Sequence, residues 1–141
     1  MLSTGELEMV IKKRIKEKLP NSNLDSIMFC VGHDNSIEGT YIFSDENAYH
    51  FVFTEKGRIC EHKILNSVDD VLWYVLDNII FDISLEYAKK NHIDGMDFRR
   101  PLFEKEIELF SIFGKEFKKR KLDEICSVLE NNPYCDINTV V

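Results

Sequence analysis

The run Tyr49-His50-Phe51-Val52-Phe53-Thr54-Glu55-Lys56-Gly57-Arg58 decides the fold class. Tyr49, Phe51 and Phe53 alternate with His50 and Val52, the period of two of a pleated strand, so three aromatic rings share one face, the core face. Thr54-Glu55-Lys56-Gly57-Arg58 reads as a three-residue hairpin loop with Gly57 in the left-handed conformation, and Arg58 to Ile64 as the returning strand. Upstream, Gly39 to Ser44 is another strand, joined to Tyr49 through the polar Asp45-Glu46-Asn47. Ser26 to Val31 is a short apolar strand followed by turn chemistry at Gly32-His33-Asp34-Asn35-Ser36. The expected sheet is an antiparallel meander of three to four strands.

Helical periodicity flanks these strands. Leu7, Val10, Ile11, Ile15 and Leu19 form one apolar stripe from Thr4 to Leu19, with Ser3 or Thr4 as cap and Pro20 as stop. Ser67 with Asp70 opens a second helix, in which Val68, Val71, Leu72, Val75, Ile79, Ile83 and Tyr87 make one stripe and Trp73, Leu76 and Ile80 another. Pro101 opens a third, carrying Phe103, Ile107, Phe110 and Phe117, with a kink or close packing at Gly114. The pattern continues through Leu122, Ile125, Cys126 and Leu129 to Asn131-Asn132-Pro133. This order predicts an α+β fold: an N-terminal helix, the strands, then two to three helices packed on one face of the sheet, all in a single domain over residues 1–141.

Composition excludes several classes. Of 141 residues, 44% are apolar and 30% charged, which fits neither a disordered chain nor a membrane one. The longest apolar stretch, around Val71 to Ile83, is broken by Asp77, Asn78 and Asp82, and Glu6, Glu8, Lys12, Lys13 and Arg14 leave no signal-peptide core, so the expected compartment is the cytoplasm. Four scattered cysteines, with no CxxC, then read as free thiols. The net charge of −7 argues against nucleic-acid binding, which draws on clustered Lys and Arg. The acids concentrate at Asp69, Asp70, Asp77, Asp82, Glu86, Asp94 and Asp97, opposed there by Lys89 and Lys90 alone, which suits a basic partner. Glycine-rich phosphate loops and hydrolase or zinc-protease motifs are absent, and no cofactor is expected.

Two constellations carry polar chemistry. If Thr54 faces Arg58, then His50 lies opposite His62 and Val52 opposite Cys60, placing two imidazoles and a thiol on one face as zinc ligands require, although with no fourth ligand. A polar outer sheet face accounts for the same residues. Asp97-Phe98-Arg99-Arg100-Pro101-Leu102-Phe103 places an acid and two arginines at a helix start. Asp97 there pairs with an arginine or satisfies free N–H groups, and an arginine can cross to Asp77, Asp82 or Glu86 as a structural latch, or reach a partner.

The order of several segments resembles immunity protein family 63 of bacterial polymorphic toxin systems. These are the run Tyr41 to Phe53 followed by Glu55-Lys56-Gly57-Arg58, then Asp69-Asp70-Val71-Leu72-Trp73-Tyr74, the Asp97 to Phe103 segment, and Asn132-Pro133-Tyr134-Cys135-Asp136. The resemblance covers roughly residues 40–137. It implies a small non-enzymatic protein made beside a toxin, often a basic nuclease domain, which it binds and neutralises. It carries over no binding residues. A recognition surface of acids around aromatic anchors would draw on Asp45, Glu46, Glu55, Asp69, Asp70 and Asp77, with Trp73 and Tyr74 as anchors. The competing expectations are a metal-dependent enzyme using His50, Cys60 and His62, and an adaptor that binds a host protein.

Overall fold

Ser3 shows how local the folding signals are. Its hydroxyl accepts from the Glu6 amide at 3.1 Å and the Glu6 carboxylate accepts from the Ser3 amide at 3.1 Å, a reciprocal cap that satisfies two donors at the start of helix α1, Thr4–Lys18. The computed structural model of the chain describes residues 1–30 and 37–137. After α1 come strands β1 (Ile27–Phe29), β2 (Gly39–Ser44), β3 (Tyr49–Glu55) and β4 (Arg58–Leu65), then helices α2 (Val68–Lys90), α3 (Arg99–Ser111) and α4 (Lys115–Asn131). The architecture is α+β, in the expected order. Contacts divide the chain into two compact units, Met1–Leu76 and Asp77–Val141, and α2 runs unbroken from one into the other.

In the first unit Leu7, Ile11 and Ile15, spaced at four residues, are fully buried along one face of α1. The Thr4 hydroxyl accepts from the Ser44 amide and the Tyr49 hydroxyl from the Leu2 amide, each at 3.0 Å, tying the helix start to β2 and β3. The sheet order is β1-β2-β3-β4. The strands from β2 to β4 form the expected antiparallel meander, but β1 pairs with β2 in parallel, Ile27 against Thr40. Parallel neighbours need a crossover longer than a tight hairpin. The turn expected at Gly32-His33-Asp34-Asn35-Ser36 lies outside the described residues.

The β3–β4 hairpin differs from its expectation in an instructive way. The loop has two residues, with Glu55 opposite Arg58, and both Lys56 (φ 53°) and Gly57 (φ 75°) are left-handed, the turn whose twist matches antiparallel strands. The Glu38 carboxylate accepts from the Lys56 and Gly57 amides, each at 2.9 Å, which holds a lysine in a conformation it rarely adopts. Pairing then slips: Thr54 faces Ile59, yet Phe53 faces Glu61, so Cys60 is the extra residue of a bulge. In consequence His62 lies opposite Val52 and Ile64 opposite His50, instead of the expected His50–His62 and Val52–Cys60 pairs.

The centre of the sheet is buried on both faces. Tyr49 and Phe51 face α2, with the Phe51 ring 5.6 Å from that of Tyr74, while Phe53 near the strand end is partly exposed. Tyr41, Phe43 and Val52 form a second cluster on the opposite face, packed against Cys30 and Ile37. The Ser67 hydroxyl accepts from the Asp70 amide at 3.1 Å and caps α2.

In the second unit the expected kink at Gly114 is a complete break. Its φ of 123° and ψ of 167° suit glycine alone, so α3 ends at Ser111 and α4 starts afresh at Lys115. Ile79, Ile80, Ala88, Leu102, Leu109, Phe110 and Ile125 are buried in this unit. No described helix is long and apolar enough to cross a membrane.

Candidate interaction surface

The bulge in β4 does not separate the two histidines. It sets them diagonally, and His62 Nε2 lies 2.8 Å from His50 Nδ1, while His50 Nε2 lies 2.7 Å from Asp45 Oδ2. The other carboxylate oxygen of Asp45 accepts from the Asn47 and Ala48 amides at 2.8 Å each, and these amides hold the carboxyl below the usual carboxylate range. An ionised Asp45 requires a proton on His50 Nε2. With that proton in place the His50 Nδ1–His62 Nε2 bond has one proton between the two rings, donated by whichever nitrogen carries it. His50 is buried and stacks on Phe43, with centroids 4.4 Å apart and planes 3° apart. The chain of three groups orients two imidazole rings and displays His62 at the surface. The alternative metal reading needed Cys60 beside the two histidines, but Cys60 is the bulge residue and its Sγ lies 3.7 Å from the Arg58 carbonyl oxygen. Among the described residues no group of three or more His, Cys, Asp or Glu is placed to hold an ion.

The expected recognition residues fall into three environments. Glu46 and Glu55 are exposed at the strand turns, and Asp69 is exposed with Arg14 Nη1 2.6 Å away. Asp45 is spent on its own turn and on His50, Asp70 is half-buried on the first turn of α2, and Asp77 accepts from Lys121 at 2.9 Å. Tyr74 is half-buried between Phe51 and Lys63, whose Nζ lies 4.7 Å from its ring centroid. Trp73, only 2% exposed, is core and presents no anchor to a partner. The helical pattern already separates the two rings: Trp73 falls in the stripe with Leu76 and Ile80, and Tyr74 falls in neither stripe.

Asp97, Arg99 and Arg100 do form a latch, with a different target from α2. Asp97 accepts from the Arg99 amide (2.9 Å), Arg99 Nε (3.2 Å), Arg99 Nη2 (2.9 Å) and the Cys135 amide (2.8 Å). Those donors, the Arg99 side chain foremost, hold the Asp97 carboxyl far below its ordinary range. Arg99 also donates to the carbonyls of Asn132 and Pro133, and Arg100 pairs with Asp136 at 2.8 Å while lying 4.1 Å above the Tyr134 ring. Two sequence segments that each looked distinctive are thus one structure, in which α3's start clamps residues 132–136. Of the acids proposed as latch partners, Asp77 meets Lys121 and Glu86 meets Lys90. Arg100 also borders a cleft of about 610 Å³ lined by Tyr87, Met96, Phe103, Glu104 and Tyr134.

One further cluster was invisible in the sequence. Lys121, 2% exposed at the end of the run Lys118-Lys119-Arg120-Lys121, reaches Asp77 (2.9 Å), Glu124 (3.0 Å) and the buried Glu106 (3.5 Å), with its Nζ 5.0 Å from the Phe110 ring centroid. Burial pushes the Glu106 carboxyl up, and burial opposes the Lys121 charge, yet the surrounding carboxylates hold the ammonium above its usual value. The cluster binds α2, α3 and α4 of the second unit together.

With that geometry described, comparison with known proteins supplies the family. Residues 45–127 match the family model of immunity protein 63, and the chain belongs to that family. The match runs from the β2–β3 turn through most of α4, and so takes in the hairpin, α2 and the Asp97-to-Phe103 segment. No curated protein and no solved structure matches the chain.

Proposed function

We propose that this chain neutralises a cognate toxin domain by binding it in the cytoplasm, with no chemistry of its own, and that the toxin domain is basic. The observation that carries the reading is the family match over residues 45–127. Charge supports the finer statement. The net charge is −7, and Glu46, Glu55 and Asp69 stand exposed on the first unit. Opposite potentials speed encounter and disfavour wrong partners. A nuclease domain is the class that fits, because gripping phosphate draws on Lys and Arg. The Asp45–His50–His62 chain and the latch at Asp97 serve this reading as scaffolding: they fix the shape of surfaces that a partner meets already ordered.

The test is titration of the purified toxin domain, taken from the gene beside this one, with the purified chain. The expected result is loss of toxin activity that is complete at one equivalent, with a complex isolable by gel filtration. Full toxin activity at a large excess of this chain would overturn the proposal.

A further inference from the structure

The sheet ends in a strand that is long, regular beyond its bulge and poorly covered. Among the described residues β4, eight residues long, forms one border of the sheet, whereas the other border, β1, has three. Most of β4 is exposed along its length, including Ile59 (60%) and Ile64 (64%). An edge of this length offers backbone donors and acceptors to another strand. It carries Lys63 and Glu61, the kind of charges that protect edges when they repel an incoming strand, and the question is whether they repel or attract a copy of themselves.

The faces of β4 decide the permitted registers. Lys63 and Leu65 lie on the side of Tyr74, with Glu61 on that side too and 3.0 Å from Lys63. His62 and Ile64 lie on the other side, opposite Val52 and His50. In a two-fold antiparallel pairing, residues directly opposite must share a face, so beyond the bulge the axis passes through a residue and never between two. An axis at Glu61 sets Glu61 against its own copy, and one at Lys63 sets two ammonium groups together; like charges directly opposite destabilise a sheet. An axis at His62 does the reverse. It places Glu61 opposite the second copy's Lys63 on both sides of the axis, extending each existing Glu61–Lys63 pair into a four-charge network. It also sets Ile64, which the single chain leaves exposed, against the bulge residue Cys60 of the second copy, where regular pairing ends.

We infer that β4 pairs with β4 of a second copy of this chain, antiparallel and centred on His62, joining two four-stranded sheets into one. This does not depend on the toxin-binding reading and needs no toxin to test.

Sedimentation of the full chain over a concentration series reads the association, and circular dichroism checks that each variant is folded. The chain should dimerise, and Glu61→Lys or Lys63→Glu alone should weaken dimerisation about tenfold, since each replaces two opposite-charge pairs by like ones. The double variant Glu61→Lys with Lys63→Glu should restore it. For register, His62→Cys is placed in a background with Cys60, Cys126 and Cys135 changed to serine. Residue 62 faces its own copy within disulfide reach, so mild oxidation should yield a cross-linked dimer. A chain that stays monomeric at every concentration overturns the inference. So does a dimer indifferent to both single reversals, or a dimer that His62→Cys fails to cross-link. A monomer whose β4 amides gain hydrogen-exchange protection only when a toxin domain is added would assign this edge to a partner's strand and equally overturn it.

Discussion

Replacing Lys121 by alanine should unfold a large fraction of this protein's stability margin, and the structure shows why. The ammonium is 2% exposed and stands between Asp77 at 2.9 Å, Glu124 at 3.0 Å and Glu106 at 3.5 Å. Asp77 and Glu124 sit far enough into solvent to be rehydrated, but Glu106 is itself only 4% exposed. Alanine therefore strands a buried carboxylate and removes the aliphatic stem beside Phe110. Breaking a buried pair in this way costs about 3–5 kcal/mol, against a total of roughly 5–15 kcal/mol for a typical domain. The loss also has a pH signature. Burial raises the Glu106 carboxyl above its unfolded value while Lys121 pulls it down. A group whose folded pKa is raised contributes stability below its unfolded value and loses it as pH rises through the folded one. Without Lys121 the rise grows, so the penalty should be smaller at pH about 5 than at pH about 8. Urea unfolding followed by circular dichroism at both values measures it. The pair Lys121→Met with Glu106→Leu should recover most of the loss, since apolar replacement of both partners removes the stranded charge. A cost below about 1 kcal/mol, or a penalty that grows on acidification, would refute the reasoning.

Further outcomes are expected elsewhere. Asp97→Asn should release residues 132–136, raising amide exchange at Cys135 at least tenfold or so, as hydrogen-exchange mass spectrometry would read. In the unaltered chain the depressed Asp97 carboxyl contributes stability above its unfolded value, lost as pH falls through the folded one, so the same peptide should loosen in strong acid. Gly57→Ala, at φ 75°, should cost about 1 kcal/mol in urea unfolding. Reversing charge at Asp69 and Asp70 should slow association with a basic toxin domain and flatten its salt dependence in stopped-flow mixing. An unchanged on-rate would move the recognition face elsewhere.

Most of the scaffold was legible because its signals are local. The stripe Leu7–Ile11–Ile15, the cap at Ser3, the alternation from Tyr49 and the opening of α2 at Ser67 each depend on residues within one or two turns of one another. What escaped prediction was nonlocal. The bulge at Cys60 depends on how β3 and β4 settle their twist, and it shifts every cross-strand pair beyond it. The parallel pairing of β1 is decided by a partner ten or more residues away. Arg99 and Arg100 announced a latch, yet their targets lie more than thirty residues on, beyond α4. Lys121 closes the run Lys118-Lys119-Arg120-Lys121, and nothing in the chain marks it as the residue facing Glu106. By contrast, Trp73 shares an apolar stripe with Leu76 and Ile80 and Tyr74 belongs to none, so the pattern itself separates the core ring from the half-buried one. On the recognition side, family membership rests on the match over residues 45–127, while the interface itself is a property of two proteins and has no periodicity to read.

Growth rescue is the most direct trial of binding as this chain's work. A bacterial strain expressing the toxin domain from the adjacent gene should stop dividing, and co-expression of this chain should restore normal growth. Continued arrest, with the chain abundant and folded in cells that carry a verified active toxin, would contradict the account.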